Sequence, residues 1–598
     1  MGAMLLRVNL SNGKTGKEPI AEALVRQFIG GRGVATKLLA DAVVGPGIDP
    51  FDPANPLLFA TGPLTGTFAP TGGRYMVVTK SPLTGAVACS NSGGYWGPAL
   101  RYAGYDYLMI EGAAREPVYL WINDDSIQIR SAKHLWGKWV AETEDAVRNE
   151  THPEARVACI GPAGENRARV ACVMNDKGRA AGRSGVGAVM GAKNLKAVAV
   201  YGTKGLRVPN PQEFLHIART AVDAVAKSAA ESNLTLLGTA ATVDAMNEIG
   251  MLPTYNFQKG IFVHAGAVNG ERVRNDFTTR NRGCHSCTIA CGRVTKITGH
   301  GPLDGHGEGP EYETIFGLGS DCGVGDLAAI IKANYLCNEL GMDTIEAGAT
   351  IATAMELAQR GYLPEADIGF PLKFGDAEAL LALTEAMGCR KGFGDALAEG
   401  GYRVAAKYGH PDLFMGSKKQ AFAAFDPRGS VGMGLGYATS NRGACHLRGY
   451  MVSLERFGDP VKLDPFTPKE KGMRLSILQN STAFADASGL CLFSTTMMGD
   501  QMLADLVGHV LDMKIDERDV QRIGERIWNI ERLYNNRAGF TRKDDSLPPR
   551  MLEEPLTEGA ARGHVVLLEE MLDDYYQYRG WDREGRPTPQ KLAELGLA

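Results

Sequence analysis

Residues 205–211, GLRVPNP, divide the chain into two parts with different hydrophobic patterns. Pro209 and Pro211 interrupt any regular element at this point, because proline lacks a backbone N–H and fixes φ. The part before this stretch is rich in turns and short β-prone runs, whereas the part after it has apolar residues at helical spacing. The stretch therefore predicts an α+β chain, with a β-rich region followed by a helical region.

The predicted elements follow this division. Before the join, apolar and β-branched runs punctuated by Gly and Pro predict strands at residues 4–8, 75–79, 107–110, 118–122, 157–160 and 197–200. After it, apolar spacing predicts helices at residues 213–228, 328–340, 347–359, 377–387, 393–407, 519–535 and 567–578. A turn-rich stretch near residues 409–435 divides the helical part. We thus predict a two-sheet β-rich domain (residues 1–207) and two mainly α-helical domains (208–415 and 416–598).

Composition excludes several classes of protein. The 598 residues carry a formal net charge of −4 without a Lys/Arg block, which gives no indication of binding to nucleic acid or anionic membranes. No apolar run approaches the roughly 18 residues of a membrane span, and we find no secretion signal. We therefore expect a cytoplasmic protein. Its 11 cysteines are odd in number and mostly far apart, which is not typical of a disulfide framework.

Three of these cysteines form a compact C-x2-C-x3-C run. Cys284, Cys287 and Cys291 lie in RGCHSCTIACG, residues 282–292. Structural zinc sites usually have a second close pair of ligands, which is missing here, although His285 and His306 keep a zinc site as an alternative. Cubane iron–sulfur clusters accept a compact trio and a remote fourth thiolate. The pattern favours a 4Fe–4S cluster but does not identify the fourth ligand.

Three glycine-rich loops of the N-terminal part indicate a phosphorylated ligand. They lie at residues 72–74, 91–94 and 179–185, and they combine small residues with Arg or Asn. Exposed backbone N–H groups in such loops bind phosphate oxygens, and arginine adds charge-assisted bonds. Residues 185–191 resemble a dinucleotide fingerprint, but its final spacing is wrong and no βαβ series surrounds it, so a Rossmann site is rejected.

Other motifs have both a structural and a chemical interpretation. GPEYET, residues 309–314, places Glu311, Tyr312 and Glu313 before an apolar run, where acidic residues also suit a helix N-terminus. Cys445 and His446 lie between glycines. An internal echo places Asp343 four residues before Ala347, and Asp486 four residues before Leu490. Spacing alone does not distinguish this echo from two helix caps.

Taken together, the motifs resemble the aldehyde:ferredoxin oxidoreductase family of tungsten-containing pterin enzymes. The likeness covers essentially the whole chain. It is carried by LRVNLSNGKTG, FIGGRGVATKLL, ATGPLTGTFAPTGGRYMVVTKSPLTG, NSGGYWGP, GRSGVGAVMGAKNLKAV, C-x2-C-x3-C, GPEYET, LGMDTIEAG, SNRGACHLRG, DASGLC and YYQYRGWDREGRPT. The resemblance implies that the β-rich domain forms a base for the cofactor and that the two helical domains enclose it.

The resemblance also implies a bis-molybdopterin cofactor, with tungsten or molybdenum held by four dithiolene sulfurs and by no protein side chain. A Mg²⁺ joining the pterin phosphates would be contacted by the backbone carbonyls of Asn91 and Ala180. Asp343 and Asp486 would each bind the ring amines of one pterin, with backbone contacts from Ala347 and Leu490. The other cofactor-binding positions are Arg74, Gly93, Gly94, Arg179, Ala181 and Arg448.

By the same resemblance, Cys491 is the fourth ligand of the 4Fe–4S cluster. Glu313 is the catalytic base, His446 binds the carbonyl oxygen, and Tyr312 assists in orienting the substrate. The implied reaction oxidises an aldehyde to a carboxylic acid and passes electrons to ferredoxin or to an iron–sulfur subunit. A homodimer or a hetero-oligomer would be compatible with this function. The alternatives are a reductase of activated aromatic acids or thioesters on the same scaffold and a non-catalytic iron–sulfur carrier.

Overall fold

The structure is a computed structural model that describes residues 2–42 and 47–598. Met1 and residues 43–46 of the predicted N-terminal domain lie outside the described residues. The strands of the N-terminal part are β1 (Met4–Asn9), β2 (Thr15–Pro19), β3 (Leu57–Thr61), β4 (Tyr75–Lys80), β5 (Val87–Ser92), β6 (Tyr107–Glu111), β7 (Val118–Asn123), β8 (Ser126–Ser131), β9 (Arg156–Cys159), β10 (Val173–Asn175), β11 (Arg179–Ala181) and β12 (Leu195–Tyr201). Later in the chain are β13 (Thr278–Arg282), β14 (Gly292–Ile297), β15 (Gly305–Glu308), β16 (Gly416–Ser417) and β17 (Gln420–Ala421).

Two six-stranded sheets form the N-terminal part within the described residues. The first has the order β2-β1-β6-β3-β4-β5 and the second β11-β10-β9-β12-β7-β8. Strands β3 and β4 are buried along their whole length, because their apolar residues face packed layers on both sides. The ends of β4, β5 and β11 carry the three glycine loops. The predicted two-sheet domain is therefore confirmed, and its predicted ligand-binding loops lie at strand ends.

The α-helices are α1 (Glu22–Phe28), α2 (Gly31–Ala42), α3 (Trp96–Tyr102), α4 (Val140–Glu150), α5 (Pro162–Glu165), α6 (Val186–Ala192), α7 (Pro211–Glu231), α8 (Leu234–Leu237), α9 (Thr242–Ile249), α10 (Ala265–Val268), α11 (Gly270–Arg272), α12 (Tyr312–Ile315), α13 (Leu327–Leu340), α14 (Thr344–Gln359), α15 (Glu365–Ile368), α16 (Ala377–Cys389), α17 (Gly394–Leu397), α18 (Gly401–Lys407), α19 (Val431–Thr439), α20 (Lys471–Ser488), α21 (Leu492–Leu511), α22 (Glu517–Arg537), α23 (Pro549–Glu553), α24 (Leu568–Arg579) and α25 (Pro589–Leu595). The helical part thus begins at Pro211, where proline occupies the first turn of α7. No helix within the described ranges is long and apolar enough to cross a membrane.

One helix that was predicted to be continuous is divided into two. Residues 393–407 form the two short helices α17 and α18, separated at Gly400. Gly400 has φ +90°, a value in the left-handed region that ends a right-handed helix. Apolar spacing continues across the break, which is why periodicity alone predicted a single element.

Most of the turn-rich stretch near residues 409–435 is buried, although residues 409–412 and Lys419 are not. Residues 422–425 each expose 3% or less of their surface, and α19 begins at Val431. A single hydrophobic core contains residues from both predicted helical domains, including Phe316, Tyr437 and Trp528. This stretch is therefore part of the packed interior, and the predicted boundary at residues 415–416 stays a prediction.

A buried ion pair joins the N-terminal part to the C-terminal helices. Arg32, on α2, donates two hydrogen bonds of 2.7 Å to the carboxylate of Glu531 on α22. Both side chains are completely buried. Glu531 also accepts a hydrogen bond from the side chain of Asn441 at 3.2 Å. Burial alone would raise the pKa of Glu531, but the charges of Arg32 and Arg448 hold it below its ordinary value.

Glu531→Gln is expected to destabilise the fold by about 3–5 kcal/mol, because the buried Arg32 loses the carboxylate that accepts two of its hydrogen bonds and keeps only Asp486, at 3.2 Å, as a counter-charge. The midpoint of thermal inactivation should fall by several degrees. The control is Glu22→Gln, which breaks the exposed pair between Glu22 and Arg26. An exposed pair of this kind contributes less than about 1 kcal/mol. Equal midpoints for the two variants would show that the buried pair does not hold these parts together.

Candidate active site

The four predicted cluster ligands line one small cavity. Cys284, Cys287 and Cys291 lie on the loop that connects β13 to β14. Cys491 directly precedes α21 and lies two residues after Gly489, which has φ +89°. The structure thus brings the remote Cys491 to the compact trio, across about 200 residues of chain.

Arginines from the N-terminal loops surround these thiols. Arg74 donates a hydrogen bond of 2.7 Å from Nη2 to Cys491 Sγ, and one of 3.1 Å from Nη1 to Asn91 Oδ1. Arg179 pairs with Glu308 at 2.6 Å and lines the same cavity. Burial would lower the pKa of Arg74, but Cys491 and Cys284 raise it above its ordinary value. These cations can offset the negative charge of thiolate ligands.

Close backbone packing explains the glycines of the first two loops. A Cβ atom on Gly93 would lie 2.9 Å from Cys284 Sγ. A Cβ atom on Gly73 would lie 2.5 Å from the carbonyl oxygen of Gly94. That carbonyl oxygen accepts a hydrogen bond of 3.2 Å from the backbone N–H of His285. Glycine is therefore needed where the N-terminal loops contact the cysteine loop.

The zinc alternative gains no support from the two histidines. His285 and His306 do not line the cysteine cavity, and His306 is exposed on β15. Within residues 2–42 and 47–598, no group of three or more His, Cys, Asp or Glu side chains is arranged to hold a single metal ion. The 4Fe–4S cluster at these four thiols stays a prediction.

The two echoed aspartates are each paired with an arginine from the N-terminal part. Asp343 caps α14 and pairs with Arg183 at 3.2 Å. Asp486 lies in the last turn of α20 and pairs with Arg32 at 3.2 Å. The Nδ2 of Asn91 also donates to Asp486, at 3.4 Å. Both aspartates thus form an ion pair with an arginine, although only Asp343 is a helix cap.

Other predicted cofactor-binding residues lie around these aspartates. The N–H of Ala347 donates within its helix to the carbonyl oxygen of Asp343 at 2.9 Å, and the N–H of Leu490 donates to Ser488 Oγ at 3.3 Å. Ala180 and Ala181 lie on β11, whose residues pair with β10. Their contacts with a pterin or with Mg²⁺ stay predictions.

Arg183 connects the three parts of the chain, and sequence reasoning did not select it. In addition to Asp343, it donates 3.0 Å and 2.8 Å hydrogen bonds to the carbonyl oxygens of Ala444 and Ala421. It also pairs with the buried carboxylate of Glu346 at 3.4 Å. Arg183 lies in the third glycine loop, so its place among small residues was the available signal. Arg32, between Gly31 and Gly33, and Arg442, directly before Gly443, had a similar setting, whereas Glu531 did not.

The predicted acid–base residues lie together in the interior. The Nε2 of His446 is 3.4 Å from Oε1 of Glu313, and the N–H of Ala424 donates to Oε2 of Glu313 at 2.9 Å. The hydroxyl of Tyr312 donates to the carbonyl oxygen of Ala424 at 2.5 Å. Burial raises the pKa of Glu313 to about 8. Burial, with the nearby charges of Arg183 and Arg442, lowers the pKa of His446 to about 3.

Several polar side-chain atoms on His446 and the neighbouring arginines have no hydrogen-bond partner among the described residues. They are Nδ1 of His446 and Nε of Arg442, which are buried, and Nη1 of Arg448, which is buried and lies 3.5 Å from Glu531 in an ion pair without forming a hydrogen bond. Arg442 and Arg448 both donate to the carbonyl oxygen of Cys89 on β5, at 2.8 Å and 3.0 Å. Buried polar atoms normally have a hydrogen-bond partner. This set of donors therefore fits an anionic cofactor bound between β5 and the 440–448 segment.

Comparisons with known proteins identify the family of the chain. The family model for the N-terminal domain of aldehyde ferredoxin oxidoreductase matches residues 5–202, and the model for its domains 2 and 3 matches residues 216–597. The chain is 48% identical to the tungsten-containing aldehyde ferredoxin oxidoreductases of Pyrococcus furiosus and Thermococcus kodakarensis, over 99% of this chain and 98% of each relative. It is 30% identical to the WOR-like subunit of an aliphatic sulfonate oxidoreductase of P. furiosus, over 99% of this chain and 96% of that relative.

A solved structure shares the fold. A chain of the active-site complex of benzoyl-coenzyme A reductase with 1,5-dienoyl-CoA superposes with a TM-score of 0.84 and 25% identity, over 100% of this chain and 97% of that chain. The fold and these matches define an oxidoreductase built from a two-sheet domain and helical domains. The chain belongs to the aldehyde ferredoxin oxidoreductase family, as its sequence motifs predicted.

Proposed function

We propose that the protein oxidises aldehydes to carboxylic acids with a tungsten- or molybdenum-containing pterin cofactor. One aldehyde and one water give one carboxylic acid, two protons and two electrons. The observation that carries this proposal is the largely buried pair of Glu313 and His446, which lies near Arg442, whose Nε has no hydrogen-bond partner among the described residues. The bound metal would supply the two-electron acceptor, which no side chain of the described residues can provide.

The acid–base pair accounts for the handling of protons. Glu313 has a pKa near the working pH, which suits a group that takes up and releases a proton in each cycle. Its deprotonated form would accept a proton from water. Once Glu313 is protonated, it could donate to Nε2 of neutral His446, 3.4 Å away, and the imidazole proton would then lie on Nδ1, which has no hydrogen-bond partner among the described residues. That Nδ1–H would donate to the carbonyl oxygen, and buried Tyr312 would limit the orientation of the substrate.

The remaining residues would hold the cofactors. Asp343 and Asp486, each backed by an arginine, would accept hydrogen bonds from the ring amines of one pterin each. Asn91 and Ala180 would offer their backbone carbonyls to Mg²⁺, a cation that prefers oxygen ligands. The further contacts would come from the loop residues Arg74, Gly93, Gly94, Arg179 and Ala181, from Arg448, and from the backbones of Ala347 and Leu490.

Cys284, Cys287, Cys291 and Cys491 would hold a 4Fe–4S cluster. Leu490 and Cys491 are adjacent in the chain, so a pterin contact and a cluster ligand would be neighbours. The electrons would leave to ferredoxin or to an iron–sulfur subunit, in the cytoplasm. The chain could act as a homodimer or within a hetero-oligomer. The reductase alternative is less well supported, since the reductase structure is 25% identical whereas the aldehyde enzymes are 48% identical.

Product stoichiometry tests this proposal. The purified, metal-loaded protein is incubated anaerobically with an aliphatic or aromatic aldehyde and oxidised benzyl viologen. We expect one carboxylate for every two viologen molecules reduced. Viologen reduction without carboxylate, or turnover of an aromatic thioester but of no aldehyde, would contradict it.

Loss of either pterin-binding carboxylate should weaken cofactor retention. Asp343→Asn and Asp486→Asn each remove a charge-assisted hydrogen bond of about 1.5–3 kcal/mol, which corresponds to roughly a 10- to 100-fold loss of affinity. Tungsten content and pterin fluorescence after acid oxidation measure the effect. The control is Asp376→Asn, because Asp376 caps α16 by accepting from Ala379 in the same manner as Asp343 caps α14. Full cofactor content in both test variants would exclude the assigned role.

A further inference from the structure

A half-open apolar pocket lies against the outer side of the cysteine loop. It has a volume of about 520 Å³, and its walls include Phe68, Tyr102, Leu206 and Phe214. Phe68 exposes 70% of its surface. Large exposed aromatic side chains at the rim of an apolar depression are typical of protein interaction sites. The pocket is separate from the site of Glu313 and His446.

The pocket wall is continuous with the predicted cluster ligands. His285 and Ser286 line the pocket, and they lie between Cys284 and Cys287 in the chain. The hydroxyl of Ser286 donates to the carbonyl oxygen of Thr67 at 3.3 Å, which fixes the loop beside Phe68. The His285 ring contacts Tyr102 edge-on, with 6.3 Å between ring centroids. A molecule seated in this pocket would thus touch the backbone that carries two of the cluster thiols.

The charge at the pocket favours an acidic partner. Arg207 is exposed at this pocket. Among the described residues that line the pocket, there is no other Arg or Lys and no Asp or Glu. The chain as a whole carries a net charge of −4, so this surface departs from the average. A cation at the rim of an interface steers an oppositely charged partner and makes association depend on salt.

We propose that this pocket is the docking surface for the electron acceptor, an acidic iron–sulfur protein that inserts an apolar side chain beside Phe68. This proposal rests on the proposed function, because the surface has an electron to deliver only if the four cysteines hold a cluster. Each docking event would remove one electron from the reduced cluster and leave it oxidised by one electron, with the partner's cluster reduced by one.

The experiment compares two acceptors with the holoenzyme. Phe68→Asp and Arg207→Glu are assayed with an aldehyde and either benzyl viologen or an acidic low-potential 4Fe–4S ferredoxin. With viologen, which needs no protein interface, kcat should change by less than about twofold. With ferredoxin, Phe68→Asp should raise KM by about tenfold, since it replaces the aromatic side chain that the partner would contact with a negative charge that repels an acidic protein. Arg207→Glu should raise KM at low salt, and the increase should vanish at high salt.

The controls alter the same residue types elsewhere on the surface. Val263→Asp replaces an apolar side chain that is 78% exposed, and Arg115→Glu reverses another exposed arginine. Both should leave the KM for ferredoxin unchanged. An unchanged KM in both test variants would overturn the proposal. Dissociation of a homodimer by Phe68→Asp, with unchanged KM, would overturn it by showing that two copies of this chain meet here.

Failure of the proposed function gives a different result. In that case none of the aldehydes tested supports the reduction of viologen by the wild-type protein. Direct binding of oxidised ferredoxin to wild type and to Phe68→Asp, measured by calorimetry, then tests the docking surface without turnover. Binding weakened about tenfold by the substitution supports the surface, whereas equal binding overturns it.

Discussion

Replacement of Glu313 by glutamine is expected to lower kcat for aldehydes by about 10²–10⁴-fold, which is the usual contribution of a positioned general base. Glutamine keeps the size of the side chain and can still accept from the N–H of Ala424, which lies 2.9 Å from Oε2 of Glu313. It cannot take a proton from water. Metal and iron contents should therefore match those of the wild type. A variant with full metal content and undiminished turnover would exclude Glu313 as the base.

The pH profile provides a second test of the same residue. Since burial raises the pKa of Glu313 to about 8 and the base acts when deprotonated, kcat should rise with pH and level off above about 8. This limb should be absent from the residual activity of Glu313→Gln. Glu311→Gln is the control, because Glu311 lies two residues away and bonds to Thr239 rather than to His446. Glu311→Gln should retain the limb.

Replacement of Cys491 by alanine is expected to remove or destabilise the cluster. Substitution of residues that only hydrogen-bond to a metal ligand already weakens metal binding by about 10–100-fold. Loss of a ligand itself should weaken binding at least as much. Removal of the thiol also takes away the acceptor for Arg74, whose Nη2 lies 2.7 Å from Cys491 Sγ. Iron content and the EPR spectrum of the reduced protein measure the result.

The matched control for this variant is Cys389→Ala. Cys389 is a half-buried free cysteine at the end of α16, and it does not line the cysteine cavity. This variant should keep the iron content and the EPR signal of the wild type. An unchanged 4Fe–4S signal in Cys491→Ala would mean that another residue is the fourth ligand.

The fold could be predicted from the sequence because its signals are local. The prolines at residues 209 and 211 mark the start of the helical part, and buried strands such as β4 are continuous apolar runs. The break at Gly400 could not be predicted, because apolar spacing continues through a glycine that adopts φ +90°. Helical periodicity reports which face is buried, not whether the backbone is continuous.

The site could be predicted only in part. The cysteine trio was visible from its spacing, whereas Cys491 and the two aspartates came from the family resemblance. Arg183 and Arg32 were missed because their partners lie about 160 and 500 positions away, and a lone arginine carries no spacing signal. The raised pKa of Glu313 could not be predicted from the sequence either, since it results from burial in the folded chain.

The most direct test of the account is elemental analysis of the purified protein, combined with aldehyde-dependent reduction of viologen. The account predicts about one tungsten or molybdenum and about four irons per chain, with viologen reduction that depends on the aldehyde. Zinc as the only metal, or iron without tungsten or molybdenum and no aldehyde-dependent reduction, would contradict it.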